Sequence, residues 1–425
     1  MKALIMTLGT RGDVQPFVAL ARGLAEAGHE ALVCGPHRFE DFVVGRGVEF
    51  SGVDDGPMHQ MDSAAGAGEA IQGGARARVR QVRQMPVMFE QVLADCWRVA
   101  SGAGADADLV IHNGQVLAGQ HIAEALGVPA ALGTPLPMYV PTREFPWPGQ
   151  TLPVSTPKWA NRMSYAGMKL PNLVFRRVID RWRHESLGLP RRRGRHDPRQ
   201  RPDGVQAPVL HAFSPSVLPR PTDWPATAQV TGYWFPDDDA PLPPQVEHFI
   251  AAGEAPVFAG FGSMSGLDPR AVTELVVAAA ARTERRLVLG PGWGGLDGDV
   301  AQTAAARLGV ELCVVHDVDH RALFPQMAAV VHHGGAGTTG TAFAAGRPQV
   351  VCPFVADQPF WGEVVRARGV GPAPLPQRRM TADSLAARIE LALDPRTEAA
   401  AAQLGAQIGR EDGVAAAVAA VIRAA

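Results

Sequence analysis

Cysteine is scarce in this chain: four in 425 residues, Cys34, Cys96, Cys313 and Cys352. They lie far apart, and at least three end or lie in apolar strands, so they make neither a disulfide framework nor a metal-ligand spacing. An excess of charge of either sign is also missing. The 40 basic and 42 acidic side chains leave a net charge of −2, which removes the electrostatic case for nucleic acid or an anionic membrane as the main partner. Long apolar runs are absent, since stretches such as Val276–Ala281 fall far short of the roughly 20 residues of a membrane span. The N-terminus reads as a strand and not as a signal peptide. A soluble cytoplasmic enzyme of two or three domains is the expectation.

A dinucleotide fingerprint is missing too, at the place where one would be sought. Leu8–Gly9–Thr10–Arg11–Gly12–Asp13–Val14–Gln15–Pro16 follows the first strand, Ala3 to Thr7. Its two glycines give GxxG and not GxGxxG, and Asp13 would sit where a pyrophosphate must go. Pro16 suits the first turn of a helix with an apolar face of Phe17, Leu20, Ala21 and Leu24, closed by Gly28. Asp13 has two readings: a plain helix cap, or a base facing a cleft that takes a proton from a bound substrate.

The second informative stretch is His332–His333–Gly334–Gly335–Ala336–Gly337–Thr338–Thr339. It joins an apolar strand to a small-residue helix and contains no acid. Such a turn aims backbone N–H groups and a helix dipole at one point, with His333 and Thr338 as added donors. That is a cradle for a diphosphate.

Short apolar strands alternate with helical stretches in both halves, which predicts α/β architecture: two doubly wound, Rossmann-like domains with parallel sheets facing a central cleft. Residues 213–240 are rich in proline and acid and read as an extended linker. The expected division is residues 1–212 for the acceptor, 241–405 for the donor, and 406–425 as a C-terminal helix.

Gly9 to Pro16, Gly260–Phe261–Gly262–Ser263–Met264, His332 to Thr339, and Pro353 to Trp361 occur in an order that resembles the nucleotide-sugar glycosyltransferases of the two-Rossmann-domain (GT-B) fold. The likeness is nearest the sterol 3-β-glucosyltransferases and the glycopeptide-antibiotic glycosyltransferases. It implies inverting transfer of a sugar from a nucleoside diphosphate to a hydroxyl of a lipophilic acceptor. The resemblance places His333, Gly335, Ala336, Gly337 and Thr338 on the phosphates, with Arg11, Gly12 and Ser263 nearby. It places Val318 at the nucleoside base and Asp357 and Gln358 on the sugar. Plant members of the wider family carry histidine three residues before the matching proline. This chain has Asp13 there, so plant catalytic-dyad geometry does not transfer.

The donor implied is UDP-glucose, or a dTDP-sugar in a deoxysugar variant of the reaction, with no further cofactor. No metal is expected, because a glycine-rich helix entrance can neutralise phosphate unaided. Asp237–Asp238–Asp239 falls in the linker, and Asp317 and Asp319 follow a strand. Arg191 to Arg201 reads as a solvated loop, and His112 and His121 as ordinary polar contacts. Met58, Met88, Met138, Phe145 and Trp147 fall in irregular segments of the first domain, where thioethers and aromatics line adaptable pockets. They predict a flat hydrophobic acceptor such as a sterol, triterpenoid or polyketide. Rival classes are another two-Rossmann enzyme and a non-catalytic nucleotide-sugar binder. A pyridoxal-phosphate phosphorylase is excluded, since no lysine occurs from Val257 onward.

Overall fold

A computed structural model describes residues 1–54, 56, 89–149, 156–191, 196–201, 204–236, 241–262, 268–292 and 296–425. Ser263, Met58, Met88 and Asp237 to Asp239 lie outside the described residues. Two parallel sheets carry the fold. With β3 at Glu49–Val53, β9 at Leu287–Gly290, β10 at Leu312–Val314 and β12 at Gln349–Val351, and the other strands bounded below, the first has seven strands in the order β3-β2-β1-β4-β5-β6-β7 and the second five in the order β10-β9-β8-β11-β12.

Strands β1 (Lys2–Met6), β2 (Glu30–Pro36), β4 (Leu109–Asn113) and β5 (Ala130–Thr134) are runs of apolar residues, as expected of a sheet covered on both faces. The strand period of two divides β1 between two cores. Ala3 and Ile5 join the cluster under helix α1 (Arg11–Glu26), while Leu4 and Met6 join the cluster on the other face. The same division in β8 (Val257–Gly260) sends Val257 and Ala259 one way and Phe258 the other.

Two expectations change. Helix α1 begins at Arg11, five residues before Pro16, which therefore sits inside it. The reason is local. Thr10 N and Thr10 Oγ1 donate to Asp13 Oδ2 at 2.8 and 3.0 Å, a capping arrangement that nucleates the helix early. Pro16 then has no N–H to give the Gly12 carbonyl. The presumed linker, in turn, contains strand β7 (Ala228–Val230), which pairs with β6 (Val209–His211) as the last strand of the first sheet. Its prolines stand beside buried Phe213, Val217, Trp224 and Trp234, so this part of the chain is tied into the first domain.

The C-terminal helix Gly413–Ile422 returns to the first domain and packs on α1, where a methyl on Gly23 would lie 2.3 Å from Val414. A shared apolar cluster, including Phe213 and Trp224 from one half and Phe343 and Trp361 from the other, joins the two halves. No helix among the described residues is long and apolar enough to cross a membrane.

Candidate active site

In doubly wound sheets ligands bind beyond the carboxyl ends of the strands where the strand order reverses. Here those points fall between β1 and β4 in the first sheet and between β8 and β11 (Ala329–His332) in the second. The Asp13 loop follows β1 and the Gln115 loop follows β4. Gly262 follows β8, and the His333 loop follows β11. The sheet topology thus selects the segments that carry the motifs.

At the first switch point the Asp13 carboxylate is held from both ends. Thr10 takes Oδ2, and Gln115 Nε2 donates to Oδ1 at 3.1 Å. Asn113 Nδ2 ties the two loops together by donating to Leu8 O at 2.7 Å. Gly9 makes room for this arrangement. With φ at +121°, a methyl there would lie 2.4 Å from Asp13 Oδ2 and 2.5 Å from Gln115 Oε1. The cap reading and the base reading of Asp13 are therefore compatible, because one oxygen caps and the other is oriented by a separate loop.

At the second, His332 fixes the turn that shapes the cradle. Gly334 N donates to its Nδ1 at 3.0 Å, so Nε2 carries the proton and donates to Gln349 Oε1 at 2.9 Å. His333 lies beside Gly262 and Gly335, where methyl groups would come within 3.2 and 2.5 Å of its ring. Although the edge of the ring is open, enclosure by these loops lowers its pKa to about 4. The imidazole is neutral at physiological pH, and its Nδ1 meets no partner. Helix Ala336–Ala344 starts at Gly335 with no side-chain cap and no acid in its first turn. Its dipole and amides, not an imidazolium, make the anion-binding field.

The two entrances face each other. A methyl on Gly337 would come within 4.0 Å of Gly12 Cα. Asp357 stands between them at the start of helix Gln358–Ala367. Burial raises its pKa to about 6, and Asp13 adds to the rise; its own amide, Trp361 and the Ala336 amide partly oppose it. The Trp361 indole favours ionisation without standing in hydrogen-bond geometry.

Several expected site residues are placed differently from one another. Gln358 is buried, and its Oε1 accepts from Phe354 N and Val355 N at 2.7 and 3.1 Å, so its oxygen shapes the loop that carries Asp357. Arg11 pairs with Asp317 across the cleft and lies over the Phe42 ring. Val318 is half-buried against the cluster of Phe258 and Leu323. Asp319 caps a short helix through Arg321 N at 2.9 Å. Met138 and Trp147 line a cavity of about 350 Å³ in the first domain, together with Gly114 and Tyr139. Phe145 turns instead into the apolar cluster, against Trp224 and Phe360.

Sequence reasoning did not single out Thr10, Gln115 or the Arg11–Asp317 contact. Gln115 had a signal: it stands two residues past the end of β4, where the strand order reverses.

The chain matches two family models: the glycosyltransferase family 28 N-terminal domain over residues 3–143, and the erythromycin biosynthesis protein CIII-like C-terminal domain over residues 299–418. It is 34% identical to a sterol 3-beta-glucosyltransferase of Arabidopsis thaliana, over 98% of this chain and 67% of that protein. It is also 34% identical to the O-mycaminosyltylonolide 6-deoxyallosyltransferase of Streptomyces fradiae, over 97% of this chain and 95% of that one. Against a fungal sterol 3-beta-glucosyltransferase from Emericella nidulans the chain spans only 30% of the relative's length. The crystal structure of the kitacinnamycin glycotransferase superposes with a TM-score of 0.68 over 99% of this chain and 98% of that one, at 20% identity, which shows the shared fold. The chain belongs to the GT-B glycosyltransferases that join a family 28 N-terminal domain to an erythromycin CIII-like C-terminal domain.

Proposed function

We propose that this enzyme transfers a hexose, with inversion, from a nucleoside-diphosphate sugar to a hydroxyl of a lipophilic acceptor, with Asp13 as general base. One observation carries the reading: the loop that holds Asp13 and the uncapped entrance of helix Ala336–Ala344 come face to face, where a methyl on Gly337 would lie 4.0 Å from Gly12 Cα. Displacing a diphosphate from an anomeric carbon needs charge stabilisation on the leaving group and removal of the attacking proton. The amides of Ala336, Gly337 and Thr338 and neutral His333 supply the first. Asp13, oriented by Gln115, supplies the second. Asp357, at the edge of both, is placed to accept hydrogen bonds from sugar hydroxyls. The proton passes from the acceptor oxygen to Asp13 as that oxygen bonds the anomeric carbon, and the diphosphate leaves into the cradle.

The donor reading is UDP-glucose, in line with the plant relative's name. The Streptomyces relative, matched over nearly its whole length, favours a second reading: a dTDP-deoxysugar moved to a macrolide or related polyketide. Incubation with UDP-glucose, and separately dTDP-glucose, against sterols and macrolide aglycones, with mass detection of the one-to-one adduct, separates them. Binding of donor without product or free nucleoside diphosphate from any combination would make the protein a nucleotide-sugar binder and overturn the proposal.

A further inference from the structure

The cavity lined by Gly114, Met138, Tyr139 and Trp147 has apolar walls and a polar interior. His112, Gln120 and Tyr165 line it, and their side chains are only 1%, 7% and 3% exposed. Yet His112 Nε2, Gln120 Oε1 and Tyr165 Oη meet no hydrogen-bond partner, and neither does the indole Nε1 of Trp147 on the same lining. Native interiors pair about nine in ten or more of their buried polar atoms, so a group of four in one cavity calls for an occupant. Their polarity can be read. His112 Nδ1 lies 2.9 Å from Asn113 O and carries the proton, which leaves Nε2 as an acceptor. Burial lowers the pKa of His112 to about 4 and raises the Tyr165 phenol, so both stay neutral at physiological pH. The interior therefore offers one hydroxyl that can donate or accept and the Trp147 indole donor, together with acceptors on His112 and Gln120.

A carbonyl would satisfy Tyr165 or Trp147 and leave the acceptors unpaired, and a hydrocarbon tail would leave all four unpaired. A hydroxyl can accept from Tyr165 and donate to His112 or Gln120. A charged group is not required either: rim cations Arg199 and Arg162 are already paired with Asp197 at 2.6 Å and Asp223 at 3.7 Å, and Lys169, the third cation of the lining, is exposed to solvent.

We propose that the acceptor carries a second hydroxyl, remote from the one that is glycosylated, and that His112, Gln120 and Tyr165 select for it. The acceptor class is then a polyhydroxylated polycycle or macrocycle and not a mono-alcohol with an alkyl tail. The inference rests on the assignment of this cavity to the acceptor.

The test uses a saturated tetracyclic steroid alcohol and the matching diol hydroxylated on the far ring. Both are titrated by the fluorescence of Trp147 and its neighbours and assayed for transfer. The wild-type enzyme is expected to bind and turn over the diol about tenfold better or more. Tyr165→Phe and Gln120→Leu each bring that preference towards unity by weakening the diol. An equal or reversed preference in the wild type, or a preference untouched by both variants, overturns the proposal. Because binding is read without turnover, the two ideas fail separately. Selective diol binding without transfer from any donor would sink the catalytic reading alone, and binding of neither steroid would remove the acceptor from this cavity and the inference with it.

Discussion

Arg11 Nη1 lies 2.7 Å from Asp317 Oδ1, a contact between the two domains that spans 306 positions of sequence. Both side chains are well exposed, at 48% and 84%, so the pair is worth at most about 1 kcal/mol and weakens in salt. The family likeness puts Arg11 near the diphosphate, and to reach it Arg11 must leave Asp317. Arg11→Ala should then raise the donor KM several-fold, while Asp317→Ala leaves it unchanged or lowers it. If both variants raised KM alike, the pair would be a closure latch and nothing more.

Asp13 serves two purposes that different substitutions separate. Asn at this position keeps an oxygen for the Thr10 donors but cannot take a proton. Asp13→Asn should lose about 10²–10⁴-fold in kcat with donor affinity retained. Asp13→Ala should lose similar activity and also about 0.5–2 kcal/mol of stability through the lost cap. Single-turnover assays, donor calorimetry and denaturant unfolding read the three effects. Loss of donor affinity in Asp13→Asn would mark the residue as structural.

The position of Gly9 should be intolerant of a single methyl. Its φ of +121° strains any side chain, and the added carbon would strike Asp13 and Gln115. Gly9→Ala is expected to lower kcat at least as much as Asp13→Asn while the donor still binds to the other domain. Normal turnover would show that the carboxylate has freedom this packing denies.

Asp357 should make both stability and donor binding depend on pH. Its folded pKa is raised to about 6, so the native state holds the proton more tightly than the unfolded chain. Stability from this group is therefore present at low pH and falls as pH rises from about 4 to about 6, then levels off. Asp357→Asn should flatten that slope and stabilise the unliganded protein at neutral pH. Donor binding runs the other way, because a protonated carboxyl loses acceptor capacity and the donor KM should climb below about pH 6. A KM independent of pH across this window would remove Asp357 from the sugar.

The α/β alternation was legible because parallel strands buried on both faces leave continuous apolar runs, as in Leu109 to Ile111 and Val257 to Phe261. The start of α1 was misjudged. Pro16 carries a strong preference for a first turn, but the reciprocal contacts of Thr10 and Asp13 outweigh it. The proline-rich stretch hid strand β7, whose three residues are too short to show a period.

The residues alone determined that the first entrance holds an acid and the second holds none, and that difference is written in adjacent positions along the chain. Which groups meet at the gap was decided only by folding. Gln115 reaches Asp13 over 102 positions and Arg11 reaches Asp317 over 306. Gly12 comes to face Gly337 because two sheets bring their switch points together. No local pattern records such meetings, since they follow from strand order and from the apolar cluster that docks the two halves.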